Sequence, residues 1–319
     1  MAQQRHSKQL KLRTMKRLYT IFAGLILVFF SGNLYSQDLD ALMNAETKPT
    51  IDYATATFKA SRIINGHSIE QMKKKQLDFR ISHRFGTLNN GAYGLYGLDQ
   101  SVIHFSLEYG IKDWLMLGVG RGSYNKTYDS FAKFRLLRQS SGSKVMPISV
   151  SYLSSVELNS LKFDTTPIQT SSTTTTPRIN YFSSRLTYVN QLLIARKFNE
   201  NFSLQLTPTY IHRNFVKTEL DPNDIFAMGI GARYKLSKRL SLNAEYYYTY
   251  NPNNKFTDTK YYNSASVGID IETGGHVFQI MLTNSQGMRE GTFIPQTTDN
   301  WFDKGIHLGF NISRVFAFN

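Results

Sequence analysis

Two alternating segments joined by a short turn stand out in residues 225–250, which read IFAMGIGARYKLSKRLSLNAEYYYTY. From Phe226 to Leu236, and again from Leu242 to Tyr250, every second residue is apolar or aromatic. Residues of the opposite parity include Arg233. Successive side chains of a β-strand point to opposite faces, so the pattern predicts two antiparallel strands with one apolar face and one mixed face.

The same alternation recurs about twelve times between Leu77 and Phe318. Period-two alternation with one apolar side is typical of transmembrane β-strands, which must close into a barrel because lipid cannot satisfy an open sheet edge. The sequence therefore predicts an all-β fold, a closed antiparallel transmembrane barrel of about twelve strands. The strands are expected near 77–85, 103–109, 114–121, 130–138, 147–157, 181–197, 202–216, 225–236, 240–250, 262–272, 276–285 and 305–318.

The links between these strands tend to alternate in length. Long links such as Gly86–Gln100, Gly122–Asp129 and Gln286–Lys304 alternate with short ones such as Gly110–Asp113, and Gln139–Met146 is intermediate. Barrels of bacterial outer membranes have short periplasmic turns and longer external loops. Because the strand number is even, both termini are expected in the periplasm.

The first 36 residues predict a cleaved export signal. A basic stretch precedes an apolar run of 13 residues, Leu18–Phe30, which is too short to cross a bilayer comfortably as a helix. Cleavage is expected near Ser36, within a few residues. The mature chain then divides into an N-terminal segment, 37–75, lying in the periplasm or plugging the lumen, and the barrel, 76–319.

Composition excludes several classes of function. The chain lacks cysteine, which excludes disulfides, thiolate metal sites and a lipid-modified N-terminal cysteine. The net charge is +14, and the six basic residues of the signal leave about +8, scattered without a basic helix or patch for nucleic acid. The histidines show no metal-ligand spacing. Expected partners are outer-membrane lipid and lipopolysaccharide, a periplasmic protein and an unidentified small solute; no cofactor, metal or nucleic acid is expected.

Charges of both signs lie on the strand faces opposite the apolar ones, which predicts a hydrated and cross-linked interior. Inward glycines, such as Gly229 and Gly231, leave room that the N-terminal segment is a candidate to fill. A barrel of twelve strands is intermediate in width between barrels of about eight strands, which side chains fill, and barrels of roughly sixteen or more strands, which leave a water channel. Whether the pore is open therefore depends on such a plug. The residues predicted to make plug or lumen contacts are Arg62, His67, Arg80, Arg84, Glu108, Arg135, Arg185, Arg233, Glu245 and Glu272.

Several motifs in order resemble a Bacteroidota outer-membrane β-barrel family catalogued as a domain of unknown function. They are FKASRIINGHS (58–68), QLLIARKF (191–198), RYKLSKRLSLNAEYYY (233–248), IETGGHVF (271–278) and IHLGFNISR (306–314). The resemblance covers roughly residues 50–318. It implies an outer-membrane barrel and no known activity.

Three functions fit these observations. The leading interpretation is a porin-like channel or transporter-like barrel for a small solute, partly occluded by its N-terminal segment. The second is a non-transporting scaffold that is structural or binds a partner. The third is an outer-membrane lipid hydrolase using His83 and Ser101, although no third orienting group is evident beside them. No catalytic residue is therefore predicted.

Overall fold

The structure, a computed structural model, describes residues 50–162, 168–169, 175–176, 181–216, 221–251 and 259–318. The predicted signal and residues 37–49 lie outside the described residues. Contacts divide the chain into two compact units, one ending at Ala54 and including Gln139–Ile148, the other comprising Thr55–Arg138 and Ser149–Asn319.

The second unit contains a closed antiparallel barrel of twelve strands, which confirms the predicted fold. Most strand ends lie within a few residues of their predicted positions. The strands are β1 (Gln76–Thr87), β2 (Ser101–Lys112), β3 (Leu115–Gly122), β4 (Thr127–Leu137), β5 (Ser149–Asn159), β6 (Leu186–Lys197), β7 (Phe202–Arg213), β8 (Asp224–Lys235), β9 (Leu240–Tyr250), β10 (Ser264–Thr273), β11 (His276–Thr283) and β12 (His307–Ala317).

Each strand pairs with its neighbours in chain order, and β12 closes the barrel against β1. This seam runs from Ala317 opposite Gln76 to His307 opposite Thr87. The first strand therefore begins, and the last one ends, at the same end of the barrel. We call this the terminus end and the opposite one the far end.

The two faces of the sheet differ as the alternation predicts. On β9, Leu242 and Tyr246 are exposed on the outside, whereas Asn243 and Glu245 are buried on the inside. The outer face is apolar over most of its area; Val267 on β10, for example, is 43% exposed. Such a surface suits hydrocarbon, while the closed sheet pairs its backbone groups internally.

Two details differ from the sequence prediction. The link between β3 and β4, expected to be long, contains only residues 123–126, because Thr127 and Tyr128 already pair with neighbouring strands. The strand expected from 181 begins at Leu186, after a one-turn 3-10 helix, Phe182–Arg185.

The first unit contains a short two-stranded sheet. Strand Ile51–Tyr53 pairs with Ser140–Gly142, and Ala54 N–H donates to the Gln139 carbonyl at 2.9 Å. The N-terminal segment, predicted as a single unit from 37 to 75, is thus divided after Ala54. Within the part of the chain that the structure describes, no helix combines the length and hydrophobicity needed to cross a membrane.

Candidate functional site in the barrel interior

Residues 57–72, which we call the inner segment, contact the inner face of the barrel. They turn back on themselves in a tight hairpin, in which Ile63 N–H donates to the Gly66 carbonyl and Ser68 N–H to the Ser61 carbonyl, both at 2.9 Å. Ile64 at the hairpin tip is almost completely buried. The segment is therefore enclosed by other parts of the protein.

A single carboxyl group on β9 holds the tip of this hairpin. Glu245 accepts hydrogen bonds from the backbone N–H groups of Ile64 (3.2 Å), Asn65 (2.8 Å) and Gly66 (3.1 Å). Buried N–H groups need partners, and the hairpin turn leaves these three without one of its own. A Cβ atom at Gly66 would meet the Tyr247 hydroxyl, so glycine is required at this close approach.

The side chain of Asn65 joins three barrel strands. Its amide nitrogen donates to Ser266 Oγ on β10 at 3.1 Å and to Thr283 Oγ1 on β11 at 3.4 Å, and its oxygen accepts from Arg84 on β1 at 2.8 Å. Arg84 also donates to Asn311 on β12 at 3.1 Å. The hairpin tip thus lies across the seam that closes the barrel.

Arg62 and Ser61 connect the hairpin to buried carboxylates. Arg62 Nη1 donates to Glu290 at 2.7 Å, and its Nε lies 3.9 Å from Glu108. The Ser61 hydroxyl donates to Glu108 and accepts from Arg80 at 3.0 Å. Buried charges require such partners, because an unpaired one is strongly destabilising.

His67 is buried against an aromatic ring. Its imidazole meets Phe131 edge-on at a centroid distance of 4.5 Å, and its carbonyl accepts from Gln205 at 2.8 Å. Neither ring nitrogen has a hydrogen-bond partner among the described residues; Nε2 lies 4.0 Å from Glu290. Burial, with Arg62 acting in the same direction, lowers the pKa of His67 well below its usual range. The ring therefore packs as a neutral group.

Apolar packing adds to these polar contacts. Phe58, Ile63, Ile64 and Ile69 form one buried cluster with Leu193, Ala195 and Met281 of the barrel wall. A Cβ atom at Gly231 would meet Ile63 Cδ1. The inward glycine thus leaves the space in which the isoleucine lies.

Cations near the two ends of the inner segment contact its backbone. Lys133 donates to the Glu70 carbonyl at 2.6 Å, and Arg233 donates to the Thr57 carbonyl at 3.4 Å and to the preceding Ala56 carbonyl at 2.8 Å. Lys59, just after the start of the segment, pairs with Glu272, whose side chain is 43% exposed. Glu272, one of the residues predicted to make plug or lumen contacts, lies near the end of β10 and contacts the inner segment through Lys59.

One of the predicted lumen residues, Arg185, lies elsewhere. Arg185 belongs to the 3-10 turn before β6, where its guanidinium donates to the carbonyls of Asn159, at 2.9 Å, and Leu161. It was assigned to the interior because the strand was expected to begin five residues earlier. Arg135 has the same parity as the buried Lys133 on β4, and it is partly buried beside an irregularity in the pairing of that strand.

A second segment, which the sequence analysis treated as an exposed loop, also contacts the interior. Residues 287–295, in the link from β11 to β12, are buried and contain a one-turn helix, Glu290–Phe293. Arg289 donates to His104 at 2.9 Å and lies 3.3 Å from Asp129, while Gly291 N–H donates to Glu157 at 2.8 Å. We call residues 287–295 the far-end segment.

The far-end segment has an apolar anchor. Phe293 meets the Tyr247 ring edge-on at 5.1 Å and packs in a buried cluster that includes Ile225 and Ile211 of the wall. The apolar residues Met288, Phe293 and Ile294 were the available sequence signal for this burial. Because Glu290 pairs with Arg62, the two segments meet inside the barrel.

The described residues offer little that resembles a catalytic or metal centre. No group of three or more His, Asp and Glu side chains within the described ranges could hold a metal ion. His83 stacks on Phe310 at a centroid distance of 4.9 Å, and among the described hydrogen bonds none joins it to Ser101. This pair does not have the arrangement of a nucleophile and its base.

Comparison with solved structures finds barrels with low sequence identity. An outer membrane channel from Pseudomonas putida F1 is 11% identical, with a TM-score of 0.46, over 77% of this chain and 97% of that chain. The KdgM porin is 9% identical, with a TM-score of 0.43, over 76% and 99%. Outer membrane phospholipase A from Escherichia coli, in the form of an active-site mutant, is 12% identical, with a TM-score of 0.39, over 80% and 96%.

Comparison with curated protein sequences finds no match. A family model described as "Membrane bound beta barrel domain (DUF5777)" matches residues 58–316. This range includes most of the inner segment and all twelve barrel strands except Ala317, the last residue of β12. The match agrees with the resemblance of the sequence motifs to a β-barrel domain of unknown function. The chain therefore belongs to this family of membrane-bound β-barrel domains.

Proposed function

We propose that this protein is an outer-membrane barrel of the channel or transporter type, which admits a small solute when the inner segment leaves its position. Its termini face the periplasm once the signal, 1–36, has been removed. The even number of antiparallel strands and the apolar outer face support this location, since they are typical of outer-membrane barrels.

The observation that carries the proposal is the polar character of the contacts that hold the inner segment. The three N–H groups at Glu245 and the amide of Asn65 bond to groups that water can replace. Elsewhere on the inner wall, β5 and β6 carry further buried hydroxyl and amide groups, including Ser151, Ser155 and Gln191. A wall of this kind remains hydrated when uncovered, which suits the passage of a small polar solute.

A disulfide tether tests this proposal directly, because the chain has no cysteine of its own. In the double variant Ile63→Cys/Gly231→Cys, the new thiols are neighbours, since a Cβ atom at Gly231 would lie 3.6 Å from both Cγ atoms of Ile63. Cβ–Cβ distances of about 3.5–4.5 Å permit a disulfide. The measurement is conductance of the purified full chain in planar bilayers, before and after reduction.

We expect the oxidised double variant to be silent and the reduced form to conduct. The single variant Ile63→Cys serves as the matched control, which should conduct equally in both redox states. Equal conductance of the oxidised and reduced double variant, with the disulfide shown by mass spectrometry, would contradict a gate formed by the inner segment.

The second candidate is a non-transporting scaffold, and the apolar packing of the inner segment favours it. Phe58, Ile63 and Ile64 are each at most 2% exposed, a degree of burial typical of permanent cores. Under this alternative the reduced double variant and the wild-type protein stay silent for ions and for small sugars and amino acids in liposome uptake. Uptake of any of these solutes by the reduced form alone favours the channel.

A further inference from the structure

An apolar groove runs along the outer face of the barrel near the closing seam. It has a volume of about 460 Å³ and lies between β10, β11, β12 and β1. Its walls are formed by the large side chains Ile271, Phe278, Ile280, Phe310 and Ile312. Ile280 is 51% exposed, so the groove is open to the medium that surrounds the barrel.

A cationic side chain lies at the terminus end of this groove. Arg314 follows Ile312 on the same outer face of β12 and is directly opposite His276 on β11. Its guanidinium lies 4.8 Å above the Phe316 ring, one step further toward the terminus end. Glu272, the acidic side chain at this end of β10, has the inward parity and pairs with Lys59, so it does not neutralise Arg314.

The groove lies on the far side of Arg314 along β12. Its lining on this strand runs from Leu308 to Ile312, four residues or about 14 Å at roughly 3.4 Å per residue. With a strand tilt of about 40°, this corresponds to about 10 Å along the membrane normal, about a third of a hydrocarbon core of about 30 Å. An acyl chain in the groove thus contacts the barrel over about 10 Å of its length, and Arg314 lies two residues further toward the terminus end.

From these observations we propose that the groove is a binding site for an anionic phospholipid, with an acyl chain against Phe278 and Ile312 and the phosphate group on Arg314 and His276. Arginine forms charge-assisted hydrogen bonds with phosphate, and the apolar walls shield the chain from exchange with neighbouring lipids. The choice of a phospholipid rests on the proposed orientation, which places the terminus end at the periplasmic leaflet. Binding itself does not depend on whether the barrel conducts.

The test is lipid titration of the purified full chain in detergent, followed by native mass spectrometry. The probes are dioleoylphosphatidylglycerol and, as a neutral comparison, dioleoylphosphatidylcholine. We expect one phosphatidylglycerol to remain bound at concentrations at which phosphatidylcholine is lost. Arg314→Gln should weaken the binding of phosphatidylglycerol about fivefold. Ile280→Trp, which fills the groove and leaves Arg314 unchanged, should also weaken that binding.

Arg196→Gln is the matched control. Arg196 also lies on the outer face at the terminus end, with its guanidinium 5.0 Å above Phe198, but the groove is formed by other strands. Its replacement should change phosphatidylglycerol binding less than twofold. The proposal is wrong if Arg314→Gln binds like the wild-type protein, if Arg196→Gln weakens binding equally, or if both lipids bind alike. Arg314-dependent binding of lipid A in preference to phosphatidylglycerol would overturn the choice of a phospholipid.

Discussion

Replacing Glu245 by glutamine should loosen the hairpin tip of the inner segment. The carboxyl group accepts three backbone N–H bonds at 2.8–3.2 Å while almost completely buried. A glutamine has one acceptor oxygen, and its NH₂ group faces donors, so at least one N–H group loses its partner. A buried donor left without a partner costs about 1–3 kcal/mol, equivalent to roughly a 5- to 150-fold change in the released population.

Hydrogen–deuterium exchange measures this release without any assumption about transport. In a peptide covering residues 61–68, exchange of the amides at 64–66 should be about 5- to 150-fold faster in Glu245→Gln than in the wild-type protein, because exchange follows the population of the open form. Glu272→Gln is the control. It removes a partly exposed ion pair with Lys59, worth about 0–1 kcal/mol. Exchange in Glu245→Gln within twofold of the wild-type rate, in a variant with unchanged circular dichroism, would refute the reasoning.

Three further predictions concern stability in detergent or lipid, measured by equilibrium urea unfolding. Val267→Arg on the outer face should lower the free energy of unfolding by about 2–4 kcal/mol, whereas Val267→Thr should cost clearly less; equal values would reverse the assignment of that face. Arg62→Gln and Glu290→Gln should each lower the free energy of unfolding by about 3–5 kcal/mol, and the double variant should lower it by less than the sum of the two. Additive effects would show that the two side chains are not coupled. Gly66→Ala should destabilise by about 1–3 kcal/mol and be partly rescued by Tyr247→Phe, which removes the hydroxyl in its way; no rescue would contradict that contact.

Most of the fold could be predicted from the sequence, because one face of every strand must suit hydrocarbon. That requirement leaves a period-two pattern which local reasoning detects, as at Leu240–Tyr250, where predicted and observed ends coincide. Even the inward parity of Arg80, Arg84 and Glu245 followed from this alternation.

The contacts that residues make inside the barrel were harder to predict from the sequence. Parity shows that Glu245 faces inward, but not that it binds backbone N–H groups rather than Arg62 or His67. That choice depends on how the hairpin turns, which involves contacts between residues some 180 positions apart. The far-end segment was missed for the same reason, since a few apolar residues, Met288, Phe293 and Ile294, are its main distinction from a solvated loop.

The closing seam has a consequence for biosynthesis. Pairing of Gln76 with Ala317, and of Lys75 with Phe318 through a hydrogen bond of 2.9 Å, joins residues from opposite ends of the polypeptide. Such distant pairing is kinetically slow, because the intervening chain must first be brought together. The inner segment is synthesised before any barrel strand and the last strand after all others. We therefore expect the inner segment to be present before the barrel closes, and closure at the seam to be the slow step that encloses it.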